Sequence, residues 1–300
     1  MNASQQVEIL KELHALSVAG QFFTSEGVSG RSSLSYSSRE RFSQEWHHLM
    51  TQRPFAAAHS SELPAPGDFK TLTILGTPTL IVRGDDGEPR AFRNACRHRG
   101  MRLVDGESGC AKRFTCPYHA WTYDQTGAFV SGPHFGEGFP GLETADLSLH
   151  SLSCEERWGF VWVNLNPEER GEPLGSLTPL ADDLEWLAPE SLCVVADTHL
   201  DIAANWKLLV EGGLEAYHFK IAHRATIGPY FAENLSSYSV WGENIRSVLP
   251  RKTLAALDSY APEQWLLREH ANIIYTLMPT CQLLVQQDHI VWIWNKALWT

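Results

Sequence analysis

The sequence predicts an α+β protein in two domains, with a helical segment over 1–54, an all-β domain over 55–165 and an α+β domain with a mainly antiparallel sheet over 166–300. Three observations carry this prediction. At 300 residues the chain is longer than one ordinary small domain. Between 55 and 165, short runs of β-branched and aromatic residues alternate with Gly, Asp and Pro turns. After Asn166, strand-like runs are interleaved with helical stretches.

In the first segment, Val7, Leu10, Leu13, Leu16 and Leu49 supply the apolar positions of polar helices. The stretch from Ser25 to Ser38 is rich in Ser and Gly and reads as a loop, and Leu63-Pro-Ala-Pro-Gly67 breaks the chain. Strands are expected at 71–75 and 79–82. Asp86-Gly87 then turns the chain into Ala91-Phe92 as a hairpin. Further strands are expected at 113–115, 121–123, 128–130 and 157–165. A polar linker over 167–179 leads to a short helix at 180–187, a strand at 194–202 and a helix over 203–219. Strands follow at 236–249, 273–278, 283–285 and 290–294, with a helix at 262–270.

The net charge of -11, from 24 basic and 35 acidic residues, argues against a polyanion partner, because a nucleic-acid reader needs clustered cations to displace counterions. The first twenty residues lack the basic and apolar regions of a signal peptide, and no apolar run approaches a membrane span. A cytoplasmic protein with no membrane and no nucleic-acid partner is the expectation. Six cysteines in such a chain favour metal or free thiols over disulfides.

Cys96-Arg-His98 is followed, after seventeen residues, by Cys116-Pro-Tyr-His119. Each half offers one thiol and one imidazole on a turn between short strands. The set could make one tetrahedral zinc site. It also fits a [2Fe-2S] cluster in which two Cys hold one iron and two His the other. Mixed C-x-H and C-x2-H halves are unusual for zinc, which favours the cluster. Cys110, Cys154, Cys193 and Cys281 stand alone and read as buried structural thiols. His47 and His48 read as solvated side chains of a polar helix.

Asn205-Trp-Lys207 opens a second constellation. Glu211, Glu215 and His218 fall on one face of a helix, whereas His223 lies about 140° away from His218, so both rings can face one ion only across a break.

Cys96-Arg-His-Arg-Gly100 and Cys116-Pro-Tyr-His-Ala-Trp-Thr-Tyr-Asp-Gln-Thr-Gly127 resemble the Rieske signature of ring-hydroxylating oxygenase α subunits. Asn205-Trp-Lys-x3-Glu211-x3-Glu215-x-Tyr217-His218-x4-His223 resembles the mononuclear iron segment of the same enzymes, in the family's order. The resemblance runs from about Glu45 to Trp294. It implies a Rieske domain followed by a helix-grip, START-like catalytic domain. Cys96, His98, Cys116 and His119 would hold the [2Fe-2S] cluster, and His218 and His223 two positions of a 2-His-1-carboxylate Fe(II) site. Glu215 would bridge to a cluster histidine of the neighbouring subunit of a homotrimer, with Asn205 and Tyr217 in support. The implied function is the terminal component of a mono- or dioxygenase. It would take electrons from NAD(P)H through a flavin/iron-sulfur reductase, with or without a ferredoxin, and use O2 to hydroxylate or demethylate a small aromatic compound or quaternary amine.

Three departures matter. Ala120 stands where the family usually has Gly. Glu215 stands where most ring dioxygenases have Asp; Glu is common in carnitine and glycine-betaine oxygenases. The third iron ligand is a late carboxylate in the family. Asp258, Glu263, Glu269 and Asp288 stand in the wrong context for it, so the expectation is a C-terminally truncated chain whose ligand lies beyond Thr300. The alternatives are a Rieske electron carrier and an inactive oxygenase fragment. Trp241, Trp265 and Trp294 could face a cationic substrate, and Arg246 or Arg251 could bind a carboxylate.

Overall fold

The computed structural model describes residues 1–22, 27–166, 174–279 and 281–294. In chain order the helices are α1 (Ala3–Val18), α2 (Leu34–Ser37), α3 (Arg39–His48), α4 (Phe135–Gly138), α5 (Ala181–Leu187), α6 (Trp206–Gly213), α7 (Phe219–Ala222) and α8 (Leu267–His270). The strands are β1 (Phe55–His59), β2 (Asp68–Ile74), β3 (Thr77–Arg83), β4 (Pro89–Arg93), β5 (Ser108–Cys110), β6 (Arg113–Thr115), β7 (Thr122–Asp124), β8 (Phe129–Ser131), β9 (Ser151–Arg157), β10 (Phe160–Asn164), β11 (Ser237–Trp241), β12 (Asn244–Pro250), β13 (Ala271–Leu277), β14 (Cys281–Val285) and β15 (Ile290–Trp294). The chain divides into two compact units, one of His47–Gly175 and Ala188–Leu200, the other of Met1–Trp46, Ser176–Leu187 and the described chain from Asp201 onward.

The first unit is all-β. Seven antiparallel strands run in the order β1-β10-β9-β4-β3-β2-β5, beside a three-stranded meander β6-β7-β8. The expected Asp86-Gly87 hairpin joins β3 and β4, with Val82 opposite Arg90 and Gly87 at φ +85°. One expected strand, 157–165, is in fact the turn and second arm of a hairpin. Trp158 (φ +52°) and Gly159 (φ +73°) separate β9 from β10. β1 and β5 were not expected, because Ala56-Ala-Ala58 and Ser108-Gly109 carry little strand propensity and are placed by pairing with β10 and β2. Leu80, Val82, Phe92, Trp121, Tyr123 and Phe129 form a core with Cys96 and Cys116. Arg83 ties the sheet internally, donating to Glu156 at 2.5 and 2.9 Å and to the Leu63 carbonyl at 2.8 Å.

The second unit carries an antiparallel sheet in the order β11-β12-β13-β14-β15. The single strand expected over 236–249 is a hairpin, turned at Gly242 with φ +60°. The strand expected at 194–202 does not form, because its backbone pairs with no ladder. The helix expected over 262–270 is a 3-10 turn followed by the four residues of α8. The helix expected over 203–219 stops at Gly213. Gly212-Gly213 weakens it, and the end of the Gln282 side chain lies 2.7 Å from where a Cβ at 213 would stand. The loop expected over 25–38 contains α2; Ser25 itself lies outside the described residues, as does 167–173 of the expected linker. No described helix is long and apolar enough to cross a membrane.

Two cysteine expectations are corrected. Cys281 is buried, but Cys110 and Cys193 are exposed, Cys110 on the three-residue strand β5 that ends the seven-stranded sheet.

Candidate metal centre

The two Cys/His turns are built alike. Cys96 N–H donates to Met101 C=O at 2.8 Å and Gly100 N–H to Cys96 C=O at 2.9 Å. Cys116 N–H donates to Trp121 C=O at 2.8 Å and Ala120 N–H to Cys116 C=O at 3.0 Å. The fourth residue after each cysteine is left-handed, Gly100 at φ +72° and Ala120 at φ +55°. Glycine takes that conformation freely, whereas alanine pays about 1–2 kcal/mol for it. Buried Asn94 closes the first loop, accepting from Leu103 N–H at 3.1 Å and Val104 N–H at 3.0 Å and donating to Val104 C=O at 2.7 Å. Sequence reasoning missed Asn94, although an Asn two residues before the motif is a loop-closing signal.

The turns bring their donors together. His98 Nδ1 and His119 Nδ1 stand 3.0 Å apart. Two nitrogens on one tetrahedral ion, each at about 2.0–2.1 Å, would stand about 3.3–3.4 Å apart. The Trp121 ring stacks on His98 at 4.8 Å, and Tyr118 lies 3.8 Å from the His119 ring. Burial, followed by the charges of His119 and Arg99, holds the His98 ring below the ordinary imidazole value, which favours the neutral ligand form. Cys96 and Cys116 are both 3% exposed. Burial raises the Cys96 thiol, and its neighbour Cys116 adds to the rise. The Tyr123 hydroxyl, 3.3 Å from Cys96 Sγ and accepting Arg97 N–H at 3.0 Å, opposes it. A buried thiol raised in this way, as Cys96 is, ionises where a cation shares its pocket.

Among the described residues, no three Cys, His, Asp or Glu side chains surround a single point. A zinc site would gather all four donors about one ion. A thiol pair beside an imidazole pair fits a two-iron cluster with one pair on each iron. The imidazoles open on a cavity of about 440 Å³ lined also by Pro117, Tyr118, Pro133, His134 and Phe139.

The second pair is positioned by the interruption of the helix. Asn205 caps α6, accepting Lys207 N–H at 3.0 Å and donating to Tyr36 C=O at 2.9 Å. Glu45 anchors the same turn by accepting from Lys207 Nζ at 2.6 Å, Trp206 Nε1 at 3.1 Å and Arg41 Nε at 3.1 Å. Burial raises the Glu45 carboxyl, but the hydrogen bonds from Lys207, Arg41 and Trp206 outweigh it and hold the group low. No local pattern could have found Glu45, since Lys207 lies 162 residues away.

Beyond Gly213 the chain leaves the helix, so Glu211, Glu215 and His218 do not share a regular helical face. Glu211 instead accepts from the Tyr36 hydroxyl at 2.8 Å. His218 immediately precedes α7 and His223 immediately follows it, which brings their rings to 5.1 Å. The helical interruption lies before His218 and not between the two histidines: Ala222 N–H donates to His218 C=O at 2.8 Å and His223 N–H to Phe219 C=O at 3.2 Å, so the break expected between them does not form. Glu215 receives His218 N–H at 3.1 Å, and its other oxygen pairs with His218 Nδ1. Thr226 Oγ1 lies 3.4 Å from His223 Nδ1. Both rings therefore have Nδ1 partners within the segment, which leaves Nε2 as the nitrogen for a metal and fixes the tautomer. Tyr217 is 77% exposed.

Two imidazoles held this way fit two positions of an iron site. No carboxylate completes a triad among the described residues. Asp258 pairs with His14 at 3.4 Å and Asp288 with His289 at 2.8 Å. Glu263 and Glu269 are exposed, so none of the four acids takes the third position.

Residues 53–147 match the Rieske [2Fe-2S] domain, and residues 189–294 match the ring hydroxylating alpha subunit (catalytic domain). The chain is 33% identical over 188 residues to the glycine betaine monooxygenase oxygenase subunit of Pseudomonas aeruginosa, covering 62% of this chain and 41% of that protein. It is 34% identical over 224 residues to the methanesulfonate monooxygenase hydroxylase subunit alpha of Methylosulfonomonas methylovora, covering 68% of this chain and 53% of the relative. The chain thus spans about half the length of the curated relatives it matches. Its fold is similar to that of a quaternary ammonium Rieske monooxygenase whose structure bears on carnitine oxidation and inter-subunit electron transfer. The TM-score is 0.75 at 24% identity, over 87% of this chain and 70% of the other. With both models matched in this order, the chain carries a Rieske [2Fe-2S] domain followed by a ring hydroxylating alpha subunit catalytic domain.

Proposed function

We propose that this chain carries the metal-binding residues of a terminal Rieske oxygenase that hydroxylates or demethylates a small organic substrate with O2. The observation that carries the reading is the presence of two different imidazole pairs. His98 and His119 face each other through Nδ1 beside two buried cysteines, while His218 and His223 have their Nδ1 atoms partnered and Nε2 left over. When bound, the cluster and the ferrous ion supply one-electron transfer and O2 activation. The chain's own groups prepare for this. Cys96, Cys116, His98 and His119 would hold the cluster, and His218 and His223 the iron. Glu215 would hold the Nδ1 proton of His218 and, in a homotrimer, reach a cluster histidine of a neighbouring subunit. Asn205 supports the segment by capping α6, and Tyr217 stands exposed where a neighbouring subunit could cover it. Electrons would come from NAD(P)H through a flavin/iron-sulfur reductase.

A quaternary amine is the favoured substrate class, supported by Glu215 in place of Asp and by the glycine betaine and carnitine relatives. The test is single turnover of the reduced protein with ¹⁸O2. Glycine betaine should speed reoxidation of the cluster and yield the demethylated amine, with ¹⁸O in formaldehyde that is trapped as it forms. Equal reoxidation with and without substrate, and no demethylated amine, would contradict the reading.

A second reading, a Rieske electron carrier, is favoured by one observation, the absence of a third carboxylate beside His218 and His223 among the described residues. Iron per chain separates the two: about three for an oxygenase and about two for a carrier.

A further inference from the structure

Arg251 follows β12 and pairs with Phe231 in an isolated antiparallel bridge. Its guanidinium is held by neutral groups alone. Nε and Nη2 donate to Asn272 Oδ1 at 3.0 and 2.6 Å, and Nη2 also donates to Gln286 Oε1 at 3.1 Å. Nη1 has no acceptor among the described residues. A second guanidinium reaches the same glutamine, Arg268 Nε donating to the Gln286 carbonyl at 3.0 Å. No carboxylate touches either arginine among the described residues. Asp288, which acts on Arg251 through its charge, bonds to His289 and is 85% exposed. Burial lowers the Arg251 pKa, the mark of a cation losing water without a contacting counter-ion. His270, whose carbonyl accepts Arg251 N–H at 2.7 Å, is 9% exposed with Nδ1 lacking a partner. By contrast Arg246 is committed, donating to Asp183 at 2.6 Å and to Ser239 at 2.9 Å.

The sheet register shows what Arg251 shares a face with. Gln282 pairs with Thr276, Leu284 with Ile274, and Leu249 with Asn272. Residues two apart on a strand point to the same side. Gln282, Leu284 and Gln286 therefore line one face, together with Asn272, Ile274 and Leu249. Gln282 donates to Val210 C=O of α6 at 3.4 Å. Ile274, Leu284 and Leu249 pack with Ala216, Phe219 and Phe231. Phe219 lies 5.0 Å from the His218 ring and 5.8 Å from the His223 ring. Along this face the order is α6, then the apolar patch beside the histidines, then the Asn272–Gln286–Arg251 cluster. From Gln282 to Gln286 the face spans about 13 Å, four residues at about 3.3 Å each.

We propose that Arg251 anchors the oxyanion of the substrate, a carboxylate or sulfonate, whose other end lies over Phe219 beside His218 and His223. The proposal rests on the oxygenase reading and deepens it. Nη1, the one nitrogen without an acceptor among the described residues, can donate to an oxygen of such a group, and two neutral amides fix the guanidinium plane in advance. A half-buried cation without a counter-charge is unfavourable until an anion joins it, so the site gains most from a ligand that is charged at that end.

The test is isothermal titration of the 300-residue chain and of Arg251→Gln and Arg251→Lys with three probes: glycine betaine, methanesulfonate and choline. Choline carries the same cation as glycine betaine without the carboxylate. The parent should bind at least one of the two oxyanions. Arg251→Gln should weaken that binding tenfold or more and leave choline unchanged, with Arg251→Lys between them. Weakening confined to glycine betaine assigns a carboxylate, and weakening confined to methanesulfonate a sulfonate. Unchanged oxyanion binding by Arg251→Gln, or no oxyanion binding by the parent, overturns the proposal. If Arg251→Gln loses its cooperative melt, Arg251→Lys decides: weakening of the oxyanions alone supports the anchor, and equal weakening of choline overturns it. Visible absorption of the same samples keeps the two readings apart. A colourless parent with Arg251-dependent oxyanion binding would sink the oxygenase reading and leave the anchor standing.

Discussion

The two histidine pairs use the same side chain in opposite ways. In the all-β unit, His98 and His119 turn Nδ1 toward each other, and no described residue bonds either Nε2. In the α+β unit, His218 and His223 have Nδ1 committed to Glu215 and Thr226. The backbone explains the difference. The first pair sits on two matching tight turns, each closed by a left-handed residue and stacked against Trp121 and Tyr118. The second pair brackets one short helix, and partners come from residues three apart in the chain. A ring nitrogen is assigned by the partner of its twin, so the turn type decides which atom meets a metal.

Breaking the first pair should have the largest effect. Cys96→Ser removes one of two thiols from a buried donor set, and we expect complete loss of visible absorption and of about two irons per chain, measured by absorption and iron analysis. The second pair should fail separately. A Cβ at Gly228 would stand 2.5 Å from Phe219 O and 2.9 Å from His223 O, both backbone atoms. Gly228→Ala should therefore distort the His218/His223 turn, cost about 1–3 kcal/mol and abolish the mononuclear iron while the visible spectrum persists.

Glu215→Gln sharpens the comparison. It keeps the size of the side chain but loses the charged acceptor on His218 Nδ1. Iron affinity at this pair should fall about 10- to 100-fold by competition with a chelator, while the cluster stays loaded.

Two smaller effects concern the scaffold of the first unit. Hydrogen bonding to Arg83 holds the Glu156 carboxyl below the usual carboxylate range. Its contribution to stability is present above the unfolded pKa of about 4.3 and is lost as pH falls below that through the folded value. Glu156→Gln should lower stability by about 1–3 kcal/mol at pH 7 and remove part of the acid dependence below about pH 4.5, read by denaturant melts across pH. Ala120→Gly relieves the left-handed strain at φ +55° and should raise stability by about 1 kcal/mol.

How much of this was legible in the sequence varies with range. The Cys/His turns could be read because their ligands, their closing residue and their flanking strands lie within a dozen positions. The meander β6-β7-β8 and the β3-β4 hairpin were legible for the same reason. The end of α6 ahead of His218 was not legible, and the break expected between His218 and His223 is instead one continuous helical turn. Gly213 ends α6 where Gln282, 69 positions on, comes close. Glu45 on Lys207, Arg251 on Gln286 and the pairing of β1 with β10 are likewise long-range facts without a local pattern. Ser236 to Leu249 reads as one strand because its apolar spacing continues through Gly242, where only a positive φ turns the chain.

The central claim is that cluster and iron histidines present different nitrogens. It is tested most directly by pulsed EPR of the reduced protein grown with histidine labelled by ¹⁵N at Nδ1 alone. The account predicts two strong ¹⁵N couplings at the cluster, lost in His98→Ala and His119→Ala and unchanged in His218→Ala. Couplings from unlabelled Nε2, or couplings that vanish in His218→Ala, would contradict it.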